Sequence, residues 1–292
     1  MTSMPTVELY ARHSPYTDPG EFGALLEALP TDPEELGVAA RNVITHYRSG
    51  FELPHERRDE VHSRWVRRIL QTDQRRHPVP LLAGREYMER VFGCCRDHTL
   101  FCVAALRQHG VPARSRVGFA GYLMDDFFAD HVVVETWTGS RWRRFDPEQS
   151  PDRDDFDMLD LPSGPRAPFV TAAEVWREAR AGRVDARDYG IFPGSPIGGL
   201  RFIRDYVIRE LAHRQRDELL LWDEWGAMTR PVEETATLID HVADLTLEAD
   251  AGDASAEAEL DARYADDDRL NPRSRVTQLS PYGLDAVDIQ LA

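Results

Sequence analysis

The sequence predicts an α+β protein: one buried helix packed on an antiparallel sheet, with N-terminal helices before this core and a helical extension after it. Three observations predict it. The stretch Cys95–His109 is apolar on nearly every helical face. The segments 113–119, 131–137 and 141–145 have strand composition, and the last two read as a hairpin. Beyond Leu161–Pro168, a linker by its Pro and Gly content, helical patterning resumes.

Taken in order, Asp32 reads as an N-cap ahead of Pro33-Glu34-Glu35, and the pattern stays helical to about Ile69, with a second start near His55. A short helix over roughly Arg85 to Val91 leads to Gly93. The buried helix stops at Gly110, with Pro112 just after it. Helical stretches follow at 172–181, 200–225 and 232–248, and 271–292 shows little periodicity. We divide the chain into an N-terminal helical segment packed on the core (1–84), the core (85–165), a C-terminal helical region (166–248) and an acidic, irregular tail (249–292).

Composition narrows the function classes. The chain has 292 residues, 42% of them hydrophobic, enough for a sizeable core. A formal net charge of -16 argues against nucleic acid as a partner, because phosphate binding needs clustered cations. No apolar run approaches the roughly 18 residues of a membrane span, and Met1–Glu8 lacks a basic start and an apolar signal core. We expect a cytoplasmic protein with no membrane partner. The chain contains no lysine, so Schiff-base chemistry has no amine to use.

The three cysteines, Cys94, Cys95 and Cys102, lie too close in sequence to staple distant segments, and they read as reduced thiols. Zinc binding by Cys94, Cys95, His98 and Cys102 is disfavoured, since adjacent cysteines seldom chelate one ion and a C-x2-C spacing is absent. We expect no metal and no cofactor. Cys102, on an apolar helix face, reads as a core residue.

A cysteine at a helix start, followed by His131 and Asp146, supplies the residue types of thiol acyl-transfer chemistry. The helix N-terminus and an imidazolium favour the thiolate, and a carboxylate fixes the imidazole's tautomer. If Thr138-Gly139 forms a two-residue turn, His131 falls opposite Asp146, with Cβ atoms about 4.5–5.5 Å apart. If the loop is the four residues 138–141, His131 faces Glu148 instead.

Four motifs in order extend this pattern: Gly93-Cys94-Cys95-Arg96-Asp97, Leu106-Arg107-Gln108-His109-Gly110-Val111-Pro112-Ala113-Arg114, His131-Val132-Val133-Val134-Glu135 and Trp142-Arg143-Arg144-Phe145-Asp146-Pro147. In these motifs the sequence resembles the transglutaminase-like superfamily of papain-related thiol enzymes, over about residues 85–150. The resemblance implies a papain/transglutaminase-like core with Cys95 as nucleophile, His131 as general base and acid, and Asp146 as its orienting carboxylate. Cys94 is then a packing residue. The motif departs from the family at His98-Thr99 and Val132-Val133, which bears on substrate preference.

Around the triad, Tyr87 is a candidate second oxyanion donor, and Asp125 and Asp126, with Asp130, are candidates to select a cationic substrate. Trp222 and Trp225 are candidates for a pocket wall. For each of these the plainer reading is core packing or a solvated acidic loop. Three functions are compatible with the whole: an acyltransferase on a small-molecule or peptide acyl substrate, free or carrier-bound; an amidase or peptidase using the same thioester; and a binding module that retains the fold.

Overall fold

The computed structural model describes residues 5–50, 53–152, 155–164, 167–283 and 285–291. Pro165 and Arg166, in the predicted linker, lie outside the described residues. The chain forms two units that interleave along the sequence. The first comprises Met1–Ser115, Val132–Pro162 and Arg216–Leu220, and the second Arg116–His131, Ser163–Gln215 and Leu221–Ala292.

The first unit opens with α1 (Pro5–Leu9), α2 (Gly23–Glu27) and α3 (Pro33–Val43). Asp32 caps α3 as expected, its carboxylate accepting from the Glu34 and Glu35 amides at 3.0 and 3.2 Å. The helix does not continue to Ile69. The β-branched pair Ile44-Thr45 enters β1 (Ile44–His46), a 3-10 helix spans His55–His62, and α4 (Val66–Arg76) follows. The helix expected over Arg85–Val91 is a single 3-10 turn, Tyr87–Glu89. Val91 and Phe92 are instead drawn into β2 (Val91–Gly93), whose backbone pairs in parallel with β1.

At the centre of this unit is α5 (Cys95–Gln108), in which every residue from Cys95 to Arg107 is buried. It packs among α2, α3, α4, β1 and β2. Burial of each large apolar side chain here, such as Phe101, Val103 and Leu106, contributes about 1.5–3 kcal/mol. The helix stops where predicted, at Gly110 with φ +69°. Its buried arginines bind the segment Arg216–Leu220: Arg96 Nε donates to the Glu218 carbonyl, and Arg107 pairs with the Glu218 carboxylate at 2.8 Å.

Strands β3 (Ala113–Met124) and β4 (Phe127–Trp137) run through both units. With β5 (Trp142–Phe145) and β6 (Phe169–Thr171) they form a sheet in the order β5-β4-β3-β6, and β7 (Tyr189–Gly190) also pairs with β4. The β4–β5 register pairs Val134 with Phe145 and Trp137 with Trp142. Its tip is the four-residue alternative: Thr138 N donates to the Arg141 carbonyl, and Gly139 takes the positive φ, +94°, that the turn requires.

In the second unit α6 (Ala172–Arg180), α7 (Gly199–Arg214) and α8 (Val232–Asp250) pack on one another. Thr171 and Glu174 form a capping box at the start of α6. The helix expected over 200–225 ends early. Arg216 adopts a left-handed φ of +65°, and residues 217–222 lead to β8 (Asp223–Glu224) outside any helix. The tail, expected to be irregular, contains α9 (Ala254–Asp266) and the antiparallel pair β9 (Arg275–Gln278) and β10 (Val287–Gln290). Asp253 caps α9, and Leu260 and Tyr264, four residues apart, bury one face of an otherwise polar sequence.

This unit also buries a charge network. Arg116 pairs with Glu210 at 3.1 Å and with Asp250, and Arg214 joins Asp250 at 2.8 Å. Burial pushes the Glu210 carboxyl up to about 7, against the pull of Arg116 and with the push of Asp250. A raised folded pKa means stability that is present at acid pH and lost as pH rises through about 7. Urea unfolding at pH 5 and pH 8 is therefore expected to show a loss that Glu210→Gln reduces by about 2–3 kcal/mol, the value for one proton at about 1.4 kcal/mol per pH unit. An unchanged pH dependence in the variant would show that Glu210 is ionised throughout.

Candidate active site

Cys95 is the first residue of α5 and is 4% exposed. The turn that delivers it is built from its neighbours. Asp97 accepts from the Cys94 amide at 2.8 Å, and a Cβ on Gly93 would lie 2.7 Å from the Asp97 carboxylate, so only glycine fits there. Asp97 is held in turn by Arg96 at 2.8 Å. The positive end of the helix dipole therefore falls on Cys95, the position that favours a thiolate.

The other two thiols are set against ionisation. A hydrogen bond from Cys95 pulls the Cys94 pKa down, but burial and the Asp97 charge outweigh it, and the net shift is upward. Burial raises Cys102 strongly, and its Sγ lies 3.7 Å from the Leu36 carbonyl. His98 has its ring nitrogens 3.0 Å from the Cys94 carbonyl and 3.3 Å from that of Ile44, which makes it a brace between the helix start and β1.

His131 sits in β4, 2% exposed, its ring edge-on to Tyr122 with centroids 6.0 Å apart. Its bonded neighbour Val132 accepts a 2.8 Å hydrogen bond from Thr99, one turn beyond Cys95 on α5.

Asp146 follows β5 and is 1% exposed. Its amide donates to the Met158 carbonyl, and its Oδ1 accepts from the amides of Glu148 at 2.8 Å and Gln149 at 3.4 Å. The two-residue turn that would set His131 directly opposite Asp146 is not formed. In the observed register position 131 corresponds to 148.

Glu148 is the residue that this register brings forward. A carboxylate oxygen of Glu148 lies within 4.8 Å of the Cys95 Sγ. Its segment is pinned by Arg41, which donates to the carbonyls of Pro147 at 2.9 Å and Gln149 at 3.0 Å. The sequence signal for Glu148 is the hairpin arithmetic with a four-residue loop. Arg41 has no local signal, because both its acceptors are backbone atoms more than a hundred residues away.

The remaining sequence candidates have other places. The Tyr87 hydroxyl is 2.8 Å from Ser49 Oγ, and its ring packs edge-on to Phe92. Asp125 and Asp126 are exposed at the β3–β4 turn, with Asp126 at φ +52°. His131 lies five positions along from Asp126, about 16 Å at the rise of a strand. Asp130 instead accepts from the Tyr206 hydroxyl. Trp222 and Trp225 lie outside any α-helix; Trp225 is buried and donates its indole N–H to the Leu270 carbonyl at 2.7 Å.

Residues 59–147 match the family model of the transglutaminase-like superfamily. The matched segment contains Cys95, His131 and Asp146, and the α+β architecture agrees with it. The solved structures include a candidate cysteine protease from Cytophaga hutchinsonii that aligns with 14% identity and a TM-score of 0.36, over 57% of this chain and 46% of that protein. No curated protein matches the chain. Among the described residues no helix is long and apolar enough to cross a membrane. The transglutaminase-like segment supports a thiol enzyme.

Proposed function

We propose that the protein is a cysteine-dependent acyltransferase that forms a thioester acyl-enzyme on an amide or related acyl group. The carrying observation is Cys95 at the first position of a helix buried from Cys95 to Arg107 within the transglutaminase-like segment, flanked by two thiols whose pKa values are raised. The Cys95 thiolate adds to the acyl carbonyl, and the helix N-terminus stabilises the oxyanion. His131 takes the thiol proton and returns it to the leaving group, while Asp146 orients the imidazole. Water or a small amine then releases the acyl group. The Thr99–Val132 hydrogen bond supports the role of His131, because it ties the neighbouring residue of its strand to the nucleophile's helix. We propose a small cytoplasmic acyl substrate, free or carrier-bound.

Intact-mass analysis after mixing with simple acyl thioesters tests the reading. One acyl adduct is expected, at Cys95, with no adduct on Cys95→Ala. An adduct that persists in Cys95→Ala would reassign the nucleophile.

A further inference from the structure

We infer that Glu148 is a specificity-determining residue that binds a protonated amine on the carbon next to the reacting carbonyl, so that the acyl donor is an α-aminoacyl group with a free ammonium. The inference takes Cys95 as the reacting thiol, as proposed above, and adds the substrate class.

Three observations carry it. A Glu148 carboxylate oxygen lies within 4.8 Å of the Cys95 Sγ. Its Oε2 is buried and has no hydrogen-bond partner among the described residues, while the side chain as a whole is only half-buried. The backbone beneath it is fixed at both ends by Asp146 and Arg41.

A buried carboxylate oxygen with no donor is costly, and one beside a nucleophilic thiol also opposes thiolate formation. A cationic donor delivered by the substrate removes both costs. Geometry selects which cation. An attacking sulfur stands about 3–3.5 Å from the carbonyl carbon. An α-amino nitrogen is about 2.5 Å from that carbon, and a charge-assisted hydrogen bond then spans about 2.8 Å to the carboxylate. Those lengths close a path between Sγ and a Glu148 carboxylate oxygen within the observed separation. An ammonium several methylenes further along, as on a lysine side chain, overshoots it.

In the acylation step the thiolate forms the S–C bond and the bond to the leaving group breaks. The leaving group departs with the proton taken from the thiol. The α-ammonium keeps its three protons and its hydrogen bond to Glu148.

Alkylation of the native protein tests this without turnover. In 2-bromoethylamine the ammonium stands one carbon from the reacting carbon, as in an α-aminoacyl group, and 2-bromoethanol is its neutral counterpart. In each reaction the thiolate forms a C–S bond and bromide leaves. Rates at Cys95, normalised to those of a free thiol, are expected to favour the cationic reagent by about 10- to 100-fold, the range of a charge-assisted hydrogen bond. Glu148→Gln is expected to remove most of that preference.

Equal normalised rates for the two reagents on the wild type would overturn the inference, and that measurement needs no variant. A Glu148→Gln protein that slows both reagents equally would also overturn it, assigning Glu148 a positioning role. If neither reagent modifies Cys95 in the native protein, the thiol-enzyme reading fails as well, an outcome distinct from modification without charge preference.

Discussion

Replacing His131 by alanine is expected to lower the rate of acyl-enzyme formation by about 10³-fold, within the range for loss of a general base. Buried at 2% exposure in β4, the imidazole is the group we propose to ionise Cys95 and to protonate the leaving group. Asp146→Asn is expected to retain measurable activity. The Asn side-chain oxygen can still accept from the Glu148 and Gln149 amides, and the orienting group transfers no proton. Single-turnover acylation followed by mass spectrometry measures both. Acylation of His131→Ala at the wild-type rate would sink the assignment.

Glu218→Ala is expected to destabilise the protein by about 3–5 kcal/mol, the cost of removing one partner from a buried ion pair. The Arg107 and Glu218 side chains are 0% and 1% exposed, and the second carboxylate oxygen accepts from Ser14 at 2.6 Å. Without Glu218 the Arg107 guanidinium keeps, among the described residues, the Tyr10 and Ala113 carbonyls and Thr17, none of which carries charge. Denaturant unfolding measures the loss. The double variant Arg107→Met, Glu218→Leu should recover a large part of it, because no charge is then left buried. A loss below about 1 kcal/mol, typical of an exposed pair, would show that the pair is solvated.

The parts of the fold that local chemistry controls were legible in the chain. The Asp32 cap, the all-round apolar helix from Cys95 and its Gly110 stop each depend on residues a few positions apart, and each stands where the pattern predicts. Short apolar segments were not legible in the same way. Val91-Phe92 reads as helix or strand with equal ease, and pairing with Ile44-Thr45, nearly fifty residues earlier, decides for strand. In the tail Leu260 and Tyr264 supply too few apolar positions to announce a helix, although a single buried face suffices once a partner covers it.

The candidate site divides along the same line. By itself the sequence carried the transglutaminase-like resemblance and the thiol-enzyme reading: Cys95 in its glycine-led helix start, His131 at the head of a β-branched run and Asp146 before a proline are motif residues that any reader of the chain can find. The tertiary structure alone decided that the β4–β5 loop spans four residues and that Asp146 braces the following turn. It also placed a half-buried Glu148 carboxylate beside the thiol, on a segment pinned by Arg41. The physical reason is range. Caps, helix stops and turn residues act through neighbours in the chain, whereas strand register and buried hydrogen-bond partners are chosen by groups far away in sequence, whose identity no local pattern encodes.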